Sequence, residues 1–159
     1  MGFREMRRSK QAVSNEECID MLKNEKRGVL SVIGDNGYPY GVPVNFYYDE
    51  ADGMIYFHGA KEGHKLDAIK RCNKVCFTTW GGDYKKEGDW AWYVTSVIAM
   101  GRAELITDRD LTNEKLRLLG DKYFPSADET EATMQRSAAR TQLIAMEIEH
   151  MTGKLVHER

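Results

Sequence analysis

Met54-Ile-Tyr-Phe-His-Gly-Ala-Lys-Glu-Gly-His-Lys-Leu-Asp-Ala-Ile69 reads as a β-strand that runs through a loop with two glycines into a helix opening around His64 and Lys65. The first turn of a helix leaves amide hydrogens unpaired and carries a partial positive charge. Gly59 and Gly63 let the backbone come close to a ligand, and Lys61, His64 and Lys65 add donors suited to a phosphate. A basic group at a helix start opposes the dipole, and a bound anion would relieve that conflict. The same residues also read as solvated charges beside an ordinary β-to-α turn, and the physics of this segment leaves both readings open.

Upstream, Tyr38-Pro-Tyr-Gly-Val-Pro-Val-Asn-Phe-Tyr47 is β-rich but carries Pro39 and Pro43. Proline donates no ladder hydrogen bond, so this strand belongs at an edge or a bulge. A planar heterocycle with alternating donors and acceptors could pair with backbone groups left exposed there. A plain edge strand with an aromatic face is the other reading.

The remaining elements follow outward. Ser14-Asn-Glu-Glu17 is a capping box opening a helix over about 14–24. Gly28–Ile33 is a strand, and Gly34-Asp-Asn-Gly37 a tight turn into the strand Tyr38–Tyr48. Asp49–Gly53 is a second turn, Met54–His58 a third strand and His64–Arg71 a helix. Val75–Trp80 is a fourth strand, Gly81–Asp89 a loop, and Ala91–Ile106 a long strand that Gly101 bends or bulges. Helices over 111–122 and 128–140 flank Pro125, and Leu143–Glu149 is a last strand before a polar tail. The expected fold is mainly β (α+β), an antiparallel barrel with peripheral helices. It forms one domain over 1–159, with the barrel at about 27–106 plus 143–149 and a helical excursion at about 108–140. An open α+β sheet is the competing architecture.

Composition bounds the function. A chain of 159 residues with 42% hydrophobic and 30% charged residues is ordinary for a globular protein. At that length it buries roughly 70% of its unfolded surface without staples. A net charge of −2 argues against nucleic acid as partner. No apolar run reaches the roughly 20 residues that cross a bilayer, and the charged start Met-Gly-Phe-Arg-Glu-Met-Arg-Arg is no signal peptide. Three cysteines, Cys18, Cys72 and Cys76, fit reduced thiols in a cytoplasmic protein. The four histidines show no metal-ligand spacing, so no metal site is expected.

Gly28-Val-Leu-Ser31, Pro39-Tyr-Gly-Val-Pro-Val-Asn45, Ile55-Tyr-Phe-His58, Gly63-His-Lys65 and Val75-Cys-Phe77 occur in one order and spacing. They continue in Tyr93-Val-Thr-Ser-Val-Ile98, Gly101-Arg-Ala103 and Met151-Thr-Gly-Lys154. This set resembles the Nim-type 5-nitroimidazole-resistance proteins, a branch of the pyridoxamine 5′-phosphate oxidase-like split β-barrels, over about Met6 to Lys154. The resemblance implies a six-stranded split barrel, a homodimer and two FMN sites at the subunit interface.

By position it implies that Val44, Asn45 and Phe46 run beside the isoalloxazine and offer backbone groups. His58 and Gly59 would line the ribityl chain and phosphate, and His64 and Lys65 would close on the phosphate. Thr78 and Thr79 would touch the ring or ribityl chain, Thr95 and Ser96 would reach in from the second subunit, and Trp90 and Trp92 would cover the ring. His64 has two readings, a phosphate contact or a proton donor at the active site. The implied activity is two-electron reduction of a nitroaromatic acceptor to the amine, with a small-molecule electron donor.

FAD in place of FMN, a flavin or haem carrier without turnover, and an oxidase of a phosphorylated vitamin B6 vitamer stand as alternatives. His58, His64 or His150 would serve as the axial ligand to haem. The tail after Met151 lacks the arginine pattern of true pyridoxamine 5′-phosphate oxidases, which weighs against the last.

Overall fold

The computed structural model describes residues 2–159. Seven β segments form a sheet in the order β2-β1-β5-β6-β7-β4-β3, with every pairing antiparallel. They are β1 (Arg27–Ile33), β2 (Pro39–Asn45), β3 (Tyr47–Asp49), β4 (Met54–Ala60), β5 (Lys74–Tyr84), β6 (Tyr93–Ile106) and β7 (Thr141–His157). The helices are α1 (Asn15–Asn24), α2 (His64–Arg71), α3 (Arg109–Tyr123) and α4 (Ala127–Ser137).

The two ends of that strand order, β2 and β3, are neighbours in the chain, separated only by Phe46. One continuous run therefore pairs with β1 through its first half and with β4 through its second, which curls the sheet on itself. The expected six-stranded barrel is present, with its second strand divided into two segments. Pro39 and Pro43 sit on β2, whose other edge has no partner strand among the described residues, as a residue without an N–H requires.

Alternation along each strand sends one face inward. Leu30, Val32, Ile55, Phe57, Val75, Phe77, Val97, Ala99, Ile144 and Met146 make the core, and α1 (Cys18, Leu22) and α2 (Leu66, Ile69) close it. A smaller cluster of Tyr56, Leu116, Leu143 and Ala145 seats α3 on the outside of β4 and β7.

The capping box is formed: Ser14 Oγ accepts from the Glu17 amide at 3.1 Å, and Glu17 Oε2 accepts from the Ser14 amide at 2.7 Å. Gly101 sits at a bulge in the β6–β7 ladder, where Glu149 of β7 is the extra residue, and a β-carbon on Gly101 would overlap the Glu147 carbonyl oxygen of β7.

Two boundaries differ from expectation. The glycine-rich loop is shorter, since β5 runs on to Tyr84 and pairs with Tyr93. The supposed polar tail is strand: Thr152, Lys154 and Val156 pair with Ile98, Ser96 and Val94. That stretch has no apolar run because its strand faces are only half-buried. No helix among the described residues is long and apolar enough to cross a membrane.

Candidate anion and cofactor site

β4 ends at Ala60, and three residues later Gly63 starts α2 with φ +142°, a conformation that favours glycine. No side chain caps this helix start, so its first-turn amides remain available. Lys65 folds back over Gly59, where a β-carbon would lie 3.3 Å from its Nζ; the glycine makes room for the ammonium. Burial lowers the Lys65 ammonium below the usual lysine range, with no carboxylate to offset it. His58, one residue before Gly59, is also lowered, by crowding around the ring and then by Lys65. A half-buried cation with no carboxylate partner, beside unfilled amides, is a donor set that suits a phosphate.

His64 is held from the other side. Its ring stacks on Tyr40 of β2 with centroids 4.1 Å apart, and Nε2 accepts from the Asp35 amide at 3.2 Å. Accepting at Nε2 places the proton of a neutral ring on Nδ1. Arg71 at the far end of α2 pairs with Asp35 at 2.9 Å, so the β1–β2 turn is tied to both ends of the helix. These contacts bring β2 and the start of α2 together.

The remaining expected residues divide. Val44 and Asn45 lie on the open edge strand, opposite Gly28 and Arg27. Phe46 points into the core, and its backbone is already engaged: its amide donates to Tyr123 Oη at 2.9 Å, and its carbonyl accepts from Tyr123 and Lys122 at 2.7 and 3.1 Å. Thr79 is fully buried and donates to the Arg27 carbonyl at 2.8 Å, whereas Thr78 is half-buried on the outward face. Ser96 lies opposite Trp80 and Lys154, and Thr95 opposite Gly81 and Leu155. Trp90 and Trp92 are exposed at the β5–β6 turn, with the Lys85 ammonium 5.2 Å above the Trp92 ring.

His58 lines a cleft of about 80 Å³ beneath α3 and α4, beside Leu119, Thr133, Met134 and Ser137. Among the described residues, no group of three or more His, Cys, Asp or Glu side chains is placed to hold a metal ion.

Sequence reasoning did not single out Tyr40 or Asp35, which anchor His64, nor Lys122 and Tyr123, which hold Phe46. Tyr40 lies inside the proline-bearing stretch and was within reach of it. Lys122 and Tyr123 come 76 and 77 residues after Phe46, and no local pattern announces them.

An antiparallel barrel with one strand divided between two partners, and a basic, uncapped helix start beside the divided strand, defines a split β-barrel. The chain belongs to the pyridoxamine 5′-phosphate oxidase family, which it matches over residues 14–155. Solved structures of the same fold include a provisionally named 5-nitroimidazole antibiotic resistance protein from Bacteroides thetaiotaomicron, with a TM-score of 0.76 and 21% identity, covering 92% of this chain and 87% of that one. The flavocytochrome Anf3 from Azotobacter vinelandii has a TM-score of 0.75 at 23% identity, over 96% of this chain and 72% of that one. An FAD and heme binding protein from Mycobacterium smegmatis has a TM-score of 0.73 at 20% identity, over 91% and 73%. No curated protein matches the sequence significantly.

Proposed function

We propose that the protein is a flavin-binding oxidoreductase that holds FMN between the open edge of β2 and the start of α2, and reduces nitroaromatic acceptors. The observation that carries this reading is the uncompensated Lys65 ammonium beside Gly59 and the uncapped first turn of α2. A phosphate there would accept from the helix amides and from Lys65. Val44 and Asn45 would offer backbone donors and acceptors to the ring along an edge that no strand occupies among the described residues. His64, fixed by Tyr40 and Asp35, would turn its Nδ1–H toward the phosphate or the acceptor. A bound flavin supplies two-electron transfer between a small-molecule donor and the acceptor.

The same reading makes the working unit a homodimer. Ser96, Thr95 and the exposed Trp90 and Trp92 would come from the second subunit to cover the ring and exclude water. Family membership and the nitroimidazole-resistance relative of like fold support the substrate class.

The absorption spectrum of the purified protein tests the cofactor. Flavin bands released by heat denaturation are expected, and a haem Soret band or a colourless protein would overturn the assignment. Anaerobically reduced protein mixed with a nitroimidazole should then be reoxidised faster than free reduced flavin. Reoxidation at the free-flavin rate would remove the reductase assignment and leave a carrier.

A further inference from the structure

At Phe46 the chain leaves β1 and joins β4, so neither strand supplies a ladder partner for its backbone. Buried backbone groups are almost always paired, and here the end of α3 does the pairing. The Tyr123 hydroxyl accepts from the Phe46 amide at 2.9 Å and lies 2.7 Å from its carbonyl and 2.6 Å from that of Lys26. One hydroxyl has one hydrogen, so those two carbonyls compete for it. Lys122 resolves the competition, donating to the Phe46 carbonyl at 3.1 Å and to the Glu25 carbonyl at 2.6 Å. Its ammonium also lies 4.0 Å from the centroid of the Phe46 ring, a cation–π contact. Two adjacent side chains thus clamp the break in the barrel to the α1–β1 connection.

We infer that Lys122 and Tyr123 are positioning residues for the cofactor, setting through Phe46 the direction in which Val44 and Asn45 present the open edge of β2. The inference rests on the flavin reading above. It follows from rigidity: the residue next to Asn45 is held at its amide, its carbonyl and its ring, so the exposed edge starts from a fixed point. A loosened Phe46 would leave the barrel core intact, since its ring still packs 4.6 Å from Phe77, while releasing the edge that faces the ring.

Tyr123→Phe removes only the hydroxyl. Flavin affinity should fall at least tenfold when FMN and FAD are titrated by fluorescence quenching, and the visible bands of bound flavin should move toward those of free flavin. Leu116→Ala, on the same helix but facing β4 and β7, should lower Tm by at least as much and leave affinity and spectrum unchanged. Wild-type affinity and spectrum in Tyr123→Phe, or an equal loss in Leu116→Ala, would overturn the inference alone. Wild-type protein that binds neither flavin would overturn the flavin reading, and this inference with it.

Discussion

At the residue scale, two lysines with opposite surroundings make the sharpest predictions. Lys65 is desolvated without a counter-charge, which is costly unless a ligand brings one. Lys65→Ala should therefore weaken flavin binding by roughly ten- to a hundredfold, as loss of a charged hydrogen bond of about 1.5–3 kcal/mol implies, with little loss of stability in the flavin-free protein. Fluorescence titration checks the first part and urea unfolding the second; unchanged affinity would move the phosphate away from this turn.

Lys115 is the converse. Its ammonium lies 2.7 Å from Asp49 and 3.3 Å from Asp52, and the Lys115 and Asp49 side chains are only 8% and 10% exposed. Burial alone would lower this ammonium, but the Asp49 hydrogen bond, with Tyr56 and Asp52 nearby, outweighs it and holds the group above the usual lysine range. The hydrogen bond from Lys115 holds the Asp49 carboxyl below its ordinary value. Lys115→Met should cost about 3–5 kcal/mol in denaturant unfolding, because it strands a buried carboxylate.

The pH dependence follows with a definite sign. A carboxyl depressed in the folded state stabilises fully above its unfolded pKa of about 3.9, and that contribution is lost as pH falls through the folded value. Acid unfolding of the wild type should steepen below about pH 4. In Lys115→Met the trend near pH 4–5 should weaken or reverse, since protonating Asp49 then relieves the stranded charge.

At the scale of elements, much was legible because it obeyed local rules. Ser14 and Glu17 announce α1, Pro39 and Pro43 an edge strand, and Gly101 a bulge; each is a short-range backbone requirement that a residue type expresses directly. Gly101→Ala should destabilise the fold by more than the ~1 kcal/mol typical of a point mutant, since β6 cannot move from β7 at that point without breaking pairs on both sides. Thermal unfolding checks this, and a wild-type Tm would mean that the bulge absorbs the methyl group.

The length of β7 was not legible. His150 to His157 has no long apolar run, because its faces are half-buried and its pairing comes from β6, 56 residues earlier at the Val97–Gly153 pair. The break at Phe46 was hidden for the same reason. An apolar residue inside an apolar strand shows nothing of the helix end that satisfies its backbone. In the candidate site, the glycines and charges that suggest an anion seat at α2 are local to one segment, whereas the hold of Tyr40 and Asp35 on His64 depends on the barrel having curled.

At the scale of the whole molecule, the curled sheet leaves one broad outer face without helices. Strand register aligns Ser31 with Cys76, and Cys76 with Met100; Val29 with Thr78, and Thr78 with Ile98. Ile33, Trp80, Ile98 and Met100 on this face remain 44%, 55%, 38% and 41% exposed. These exposed apolar side chains lie among Ser31, Thr78, Ser96 and Thr152, and the homodimer proposed above would bury this mixed face; a standard interface buries about 800 Å² per partner. In a two-fold dimer the face meets its own copy, so each substitution enters the interface twice. Ile98→Arg, near the middle of the face, would set two guanidinium groups against a desolvated apolar patch.

Sedimentation velocity should show wild-type protein as a dimer at micromolar concentration and Ile98→Arg as a monomer with an unchanged far-UV spectrum. Flavin content should fall in step with the dimer, because Thr95, Ser96 and the tryptophans of one copy would then no longer cover the ring held by the other. A monomeric wild type would remove the dimer. A monomeric Ile98→Arg that retains its flavin would confine the site to β2, α2 and Lys65 of a single chain.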